Sequence, residues 1–177
     1  MTLTIEQLMK INLLMETFKD NDKKLASEIV KIIHGTLDIE QSVATQTMLD
    51  VNELLSKEHD LIQRFEIGGV EYGFIPNLSK ITAGEFIDLD NYLSEDTKQL
   101  HKICSILYRP IKSSTGNYYE IEKYEGTDKL ADIMMKVDCK VALGALVFFY
   151  LLSKSLLNLT NTYIQKETTR ILTTQKI

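Results

Sequence analysis

The chain has 177 residues and a formal net charge of −5 at pH 7. Its length points to one domain, with or without an appended arm, and its 44% of hydrophobic residues provide a core of useful size. The negative charge leaves no global basic field to attract a phosphate backbone, so binding to nucleic acid is not expected.

Helical signals dominate residues 1–62. Thr4 and Gln7 have the spacing of a capping box at the start of a first helix. Asp22 is the predicted cap of a second helix, and Asp38 is the predicted cap of a third. We interpret residues 1–62 as a helical N-terminal arm or subdomain, and a plain extension of the main core is an open alternative.

A β-hairpin is predicted around the Gly68-Gly69 pair. Glycine supplies the positive φ angles that a two-residue primed turn requires, and apolar residues alternate on both sides of the pair. These residues are Phe65, Ile67, Val70, Tyr72 and Phe74. Pro76 is predicted to end the second strand, because its nitrogen carries no hydrogen to donate.

The clearest local signal in the chain is the run ITAGEF at residues 81–86. Thr82 and Glu85 form a second capping box, and Ile81 is placed to pack on Phe86 as a hydrophobic staple. A helix is therefore predicted to begin here and to extend to about residue 93.

A further helix is predicted after that point and is expected to stop at Arg109-Pro110, because the residue before a proline avoids the helical region. Residues 111–121 have the alternating pattern of a second hairpin, with its loop at residues 113–117. A short helix is predicted to follow, capped by a residue at position 127 or 128.

The most apolar run of the chain, VALGALVFFYLL, covers residues 141–152. Its 12 residues fall short of the roughly 20 needed to span a bilayer, so a buried core helix is predicted and no membrane partner is expected. This helix is expected to begin at Asp138, and its apolar pattern continues through Leu156 and Leu159 to Tyr163. The N-terminus has no basic region that leads into an apolar segment, so a signal peptide is not expected.

Together these signals predict a mostly helical α+β fold. One or two β-hairpins are expected to pack on a helical core, with the helical arm attached at the N-terminal side. Residues 63–177 are assigned to this hairpin-plus-helix core domain, which ends in a long C-terminal helix.

No catalytic residue, metal ligand or cofactor is predicted. His101 and Cys104 share a helix face, but a metal site would need two further ligands, so we interpret them as a surface histidine and a half-buried cysteine. The acidic run that contains Asp88 lacks the glycine of a calcium loop and is interpreted as a solvated helix end. Cys104 and Cys139 are predicted to be free, buried thiols of a reducing compartment, a reading that is favoured over a disulfide.

Arg109 follows an apolar helix and precedes a proline. A guanidinium group that is fixed at this point can form a bidentate pair with Glu85, Asp88 or Glu120. We interpret Arg109 as a structural lock between the two halves of the core, and a contact to a partner chain is the functional alternative.

Four short motifs carry a resemblance to a known family. They are FIP at residues 74–76, FIDL at 86–89, YRPI at 108–111 and FF at 148–149. As a set within residues 65–157, they resemble a family of small virion or tail-assembly proteins from tailed phages of Bacteroidota, including crAss-like phages. Residues 1–60 lie outside the resemblance.

The resemblance implies a non-enzymatic virion structural protein of the portal–tail region, such as a ring, connector or tail-associated subunit made in the cytoplasm of a bacterial host. Its partners would be other phage structural proteins and further copies of itself, in a homo-oligomer or ring. A tail assembly chaperone that is absent from the mature virion is the alternative. The structural or interface candidates are Tyr72, Phe74, Pro76, Phe86, Asp88, Tyr108, Arg109, Pro110, Phe148 and Phe149.

Two other classes of function stay open at this point. A small enzyme would need a deep polar pocket that holds titratable side chains with strongly shifted pKa values. A nucleic-acid-binding protein that acts on the host would show salt-dependent binding to DNA.

Overall fold

A computed structural model describes residues 1–94, 96–152 and 154. The elements are, in chain order, helices α1 (Ile5–Thr17), α2 (Asp22–His34) and α3 (Gln41–Ser56), strands β1 (Arg64–Ile67) and β2 (Val70–Phe74), helices α4 (Ala83–Ser94) and α5 (Leu100–Leu107), strands β3 (Tyr108–Thr115) and β4 (Tyr118–Ile121), helix α6 (Asp128–Met134), and helix α7, whose described part spans residues 139–152. The predicted mostly helical α+β fold is confirmed.

The two predicted hairpins join into one antiparallel sheet with the strand order β1-β2-β3-β4. Gly68 and Gly69 have φ angles of 61° and 76°, as the predicted turn between β1 and β2 requires. The two hairpins are connected by antiparallel pairing of β2 with β3, in which Phe74 lies opposite Tyr108 and Tyr72 lies opposite Pro110. Helices α4 and α5 are thus an insertion between two neighbouring strands.

The predicted helix stop at Arg109-Pro110 is placed too late in the chain. Helix α5 ends at Leu107, and strand β3 begins at the next residue, Tyr108. The carbonyl of Leu107 already accepts a hydrogen bond from the Ile75 amide, over 2.9 Å. Pro110 lies inside β3 and accepts a hydrogen bond from the Glu122 amide through its carbonyl oxygen. The turn of the second hairpin is also tighter than predicted, because β3 continues to residue 115 and leaves only residues 116–117 between the strands.

The second hairpin folds back over the first through Tyr119. A Cβ atom added to Gly73 would lie 2.3 Å from Cε2 of Tyr119, so only glycine allows the ring to cover this strand. The Tyr119 hydroxyl donates to the Phe74 carbonyl over 2.7 Å, and the Arg64 guanidinium lies 4.4 Å from the centre of the Tyr119 ring. These contacts hold the second hairpin against the first.

Helix α1 is part of the same core as α5 and α7. Ile5, Leu8 and Ile11 are almost completely buried in one cluster with residues of the sheet and of both helices. The chain start is also tied to the segment before α7, because the Ile5 amide donates to the Val137 carbonyl over 2.9 Å. The N-terminal residues therefore contribute directly to the main core, and the proposed domain division at residue 62 stays a prediction.

Both predicted capping boxes are confirmed. Thr4 and Gln7 exchange hydrogen bonds at the start of α1, and Thr82 and Glu85 do so at the start of α4. Phe86 does not act as a buried staple, because 59% of its surface is exposed and Glu85 occupies the inward position instead.

Two predicted helix caps are wrong. Asn21, not Asp22, caps α2, because its side chain reaches the Lys24 amide over 3.1 Å while Asp22 is already in the first turn. Helix α3 begins after Glu40, and no side-chain hydrogen bond caps it. Asp38 lies too far ahead of this start to reach the free amides of the first turn.

Helix α5 is buried on almost every side, and this corrects the prediction for His101. The residue is only 7% exposed and lies in the helix that packs against α6, so it is not a surface histidine. Cys104 is completely rather than half buried, and both Cys104 and Cys139 are free, buried thiols as predicted.

Helix α7 begins where the sequence predicts, since a carboxylate oxygen of Asp138 accepts from the Lys140 amide over 3.0 Å. Within the described ranges, no helix is long and apolar enough to cross a membrane. The apolar pattern predicted for Leu156, Leu159 and Tyr163 lies outside the described residues.

Gly144 of α7 lies close against the backbone of Asp60. A Cβ atom added there would lie 2.2 Å from the Asp60 carbonyl oxygen, whereas one added to Gly84 in α4 would meet no atom within 4 Å. We therefore expect Gly144→Ala to lower the free energy of unfolding by about 2 kcal/mol. The matched variant Gly84→Ala is expected to raise it by up to about 1 kcal/mol, because alanine favours the helix. Urea unfolding measures both, and equal effects would contradict the close packing of α7.

Burial lowers the pKa of His101 below its ordinary value, the charge of Lys102 adds to this effect, and Asp132 opposes it. The folded protein therefore favours the neutral imidazole. Its stability should be full above the ordinary histidine pKa and should fall as the pH drops below that value towards the folded pKa. We expect His101→Gln to remove this part of the pH dependence in urea unfolding at pH 5 to 8. If His101→Gln left the dependence of the unfolding free energy on pH unchanged, the lowered pKa of His101 would be contradicted.

Candidate functional site

Among the described residues, the most deeply buried ion pair is formed by Arg109 of β3 and Glu85 of α4. Nη1 of Arg109 donates to Oε1 of Glu85, and the two side chains are only 8% and 4% exposed. Glu85 is the partner that the structure provides among the three acidic residues considered for Arg109. The pair links the sheet to the first turn of α4.

The capping box of α4 positions the carboxylate of Glu85. Oε2 of Glu85 accepts from the Thr82 amide over 2.6 Å, while Oε1 faces Arg109. Both carboxylate oxygens are therefore occupied. The negative charge also lies at the positive end of the helix dipole, where it is favoured.

Three effects set the pKa of Glu85. Burial acts to raise it, but hydrogen bonds from Thr82 and the charge and hydrogen bond of Arg109 outweigh burial and lower the pKa below its ordinary value. The carboxylate consequently stabilises the fold at and above the ordinary glutamate pKa. That contribution is lost as the pH falls through the folded pKa.

Tyr124 closes the site from the segment that follows β4. Its hydroxyl donates to Oδ2 of Asp88 over 2.5 Å, and its ring centre lies 5.9 Å from Cζ of Arg109. Burial, and then the hydrogen bond and charge of Asp88, raise the pKa of Tyr124. Asp88 thus holds a tyrosine in place rather than forming part of a freely solvated helix end.

An open polar cavity of about 610 Å³ lies beside this site, along β4 and the segment after it. Charges of both signs line the cavity, with lysines at positions 112, 123 and 129 and glutamates at 120, 122 and 125. Nε of Arg109 has no hydrogen-bond partner within the described part of the chain. The arrangement fixes a buried cation next to a surface of balanced charge, which suits a structural lock.

The two thiols are poorly suited to nucleophilic chemistry. Burial raises the pKa of Cys104 to about 12 and, as the largest of several effects, the pKa of Cys139 to about 11. A thiolate is the reactive form of cysteine, and these environments disfavour it at neutral pH. Among the described residues, no group of three or more histidine, cysteine, aspartate or glutamate side chains could hold a metal ion.

Most of the ten candidate residues lie in or beside the core. Tyr72, Phe74, Tyr108 and Arg109 are buried. The centre of the Phe74 ring is 5.3 Å from that of Tyr108 and 5.6 Å from that of Phe148, and Phe149 meets Phe148 edge to face at 5.6 Å. Four of the candidates are partly buried, namely Asp88, Pro110, Phe148 and Phe149. The remaining two, Pro76 and Phe86, are exposed.

Phe86 belongs to an outward surface that the sequence analysis did not identify. This surface, the α4 face, consists of Phe86, Ile87 and Leu93, which are 59%, 57% and 37% exposed. A second missed surface is a groove along α1 that includes Met9 and Leu13. Apolar residues at helical spacing beside the buried stripe of α1 were the signal that could have shown this groove.

The lock predicts a measurable coupling. Arg109→Ala should lower the free energy of unfolding by about 3 kcal/mol, because Glu85 would remain as a buried charge without its partner. The variant with both Arg109→Ala and Glu85→Gln should lose less than the sum of the two single changes. Lys129→Ala, which removes a fully exposed ion pair with Glu125, serves as the control and should change little. Additive effects of the two core changes would contradict the lock.

Comparison of the chain with protein-family models, curated proteins and solved structures found no match. Its function is therefore argued from the residues and contacts described above.

Proposed function

We propose that the protein is a non-enzymatic structural protein of a bacteriophage particle, located in the portal–tail region as a ring, connector or tail-associated subunit. It would be made in the cytoplasm of the bacterial host. Other phage structural proteins would be its partners, and it would form a homo-oligomer or ring. The resemblance of the motifs within residues 65–157 motivates the phage context.

The observation that carries a binding role is the number of large apolar side chains on outward helix faces. Exposed fractions reach 60% at Leu13 in α1 and 59% at Phe86 in α4. Single exposed apolar residues are ordinary, but adjacent ones and apolar grooves are typical of contact surfaces. The α4 face and the groove along α1 are of this second kind.

A further groove lies between α2 and α3. It measures about 450 Å³, and its wall includes Val30, Leu37, Ile39 and Met48. Leu37 is 55% exposed, so the groove opens directly to the outside. Several separate apolar surfaces on one small chain fit a subunit that contacts more than one neighbour in an assembly.

The core explains why binding would use these faces. Tyr72, Phe74 and Tyr108 fill the space between the sheet and the helices, and Arg109 is neutralised by Glu85. Contact of a partner with these side chains would require the fold to open. Of the ten candidates, Phe86 and Pro76 are the ones whose exposure suits a direct contact.

The test is quantitative mass spectrometry of purified phage particles that carry this gene, with the infected-cell lysate measured in parallel. We expect the protein in a fixed copy number per particle, and a multiple of about six or twelve would fit the symmetry of a portal–tail ring. Presence in the lysate but not in particles would support an assembly chaperone instead. Absence from every fraction that contains virion proteins would contradict both roles.

A further inference from the structure

Helix α1 carries two apolar stripes. The first consists of Ile5, Leu8 and Ile11 and is buried in the core of the chain. The second consists of Met9 and Leu13, which point to a different side, and Leu13 is 60% exposed. Met9 is partly buried against the core, whereas most of the Leu13 side chain is exposed and available to a partner.

The second stripe is one wall of an open groove of about 460 Å³, which we call the α1 groove. Met135, directly after α6, supplies apolar surface to the opposite wall. The complete set of residues that line the groove is Glu6, Met9, Lys10, Asn12, Leu13, Glu16, Lys98 and Met135. Most of the lining surface is apolar, and charged residues lie before and after Leu13 along the helix.

The charges of the α1 groove form one ion pair at each end. Lys10 Nζ lies 2.6 Å from Glu6 Oε1 at one end, and Lys98 Nζ lies 3.8 Å from Glu16 Oε2 at the other. The groove thus holds two acids and two bases and is neutral. The chain as a whole carries a net charge of −5, so most other faces of two copies would repel each other.

We propose that the α1 groove binds a second copy of this chain, with the two α1 helices antiparallel across a two-fold axis. This inference rests on the proposed role as a self-assembling structural protein and names a two-fold dimer as its unit. A two-fold axis brings the same patch of both copies together, and such a patch must be complementary to itself. The apolar centre and the paired charges at both ends meet this condition.

The two-fold axis fixes which residues meet. With Leu13 of both copies near the axis, Lys10 of each copy lies opposite Glu16 of the other. The Glu6–Lys10 pair then faces the Glu16–Lys98 pair, so each acid has a base across the interface. Methionine side chains at positions 9 and 135 can adjust their shape around the opposing leucine, because they are unbranched and flexible.

The expected contact is small, which argues for a modest affinity. Helix α1 has 13 residues and is therefore only about 20 Å long. One helix face of this length buries less than the roughly 800 Å² per partner of a standard interface. We expect a reversible dimer with a dissociation constant in the micromolar range, which other contacts would reinforce in an assembly.

Sedimentation velocity of the full chain, from about 1 to 200 µM, tests the dimer. The wild type should change from monomer to dimer with concentration, and Leu13→Asp should weaken dimerisation at least about tenfold. Leu49→Asp is the matched control, because Leu49 is a 57% exposed leucine on α3, outside the groove, and should leave the dimer unchanged. A monomer at all concentrations, or equal effects of the two variants, would overturn the proposal.

Charge reversal tests whether the two α1 helices are antiparallel. Lys10→Glu makes one end of the groove acidic, Glu16→Lys makes the other end basic, and each change alone should weaken the dimer. The variant that combines both changes should dimerise at least as tightly as the wild type, because its acidic end faces the basic end of the second copy. A combined variant weaker than either single one would show that like ends meet and would overturn the antiparallel arrangement of the two α1 helices.

The dimer and the proposed function can fail separately. A monomeric wild-type protein that is nevertheless present in purified particles would overturn the dimer and leave the structural role intact. A dimer that depends on Leu13, formed by a protein absent from particles and from their assembly, would support the contact and contradict the structural role.

Discussion

The buried ion pair between Arg109 and Glu85 determines how the central part of the chain is arranged. Helices α4 and α5 are inserted between β2 and β3, and the pair fastens the start of this insertion to the strand that follows it. Because both charges are removed from water, the carboxylate needs the Thr82 amide as a second donor. Successive helix residues point about 100° apart, so an inward Glu85 turns Phe86 and Ile87 outward. The same interaction therefore stabilises the fold and exposes the α4 face.

This division between inward and outward residues recurs in the described part of the chain. The Phe74 ring makes edge-to-face contacts with the rings of Tyr108 and Phe148, between the sheet and α7. Their contribution is to hold the sheet and the helices in fixed positions. Outside this core, α1 presents Leu13 in a neutral groove beside the partly buried Met9. A protein built in this way is suited to contact several neighbours.

Most local interactions were predictable from the sequence, apart from the caps of α2 and α3 and the staple on Phe86, whereas long-range interactions were left open. The Thr82–Glu85 capping box and the Gly68-Gly69 turn depend on residues a few positions apart, and both are present. The join of the two hairpins pairs Phe74 with Tyr108 across the whole α4–α5 insertion, and no local pattern specifies it. His101 appeared to be a surface residue because its burial comes from α6, which is distant in the sequence. Arg109 had three possible acidic partners until the fold brought Glu85 to it.

We propose that outward helix faces, first of all the α1 groove, carry the contacts of this protein. Replacing Leu13 with cysteine tests it most directly, because the axis places this residue opposite its own copy and both native thiols are buried. Under mild oxidation, Leu13→Cys should give a disulfide-linked dimer, while Leu49→Cys on α3 should stay largely monomeric. Efficient cross-linking at position 49 with none at position 13 would contradict the account.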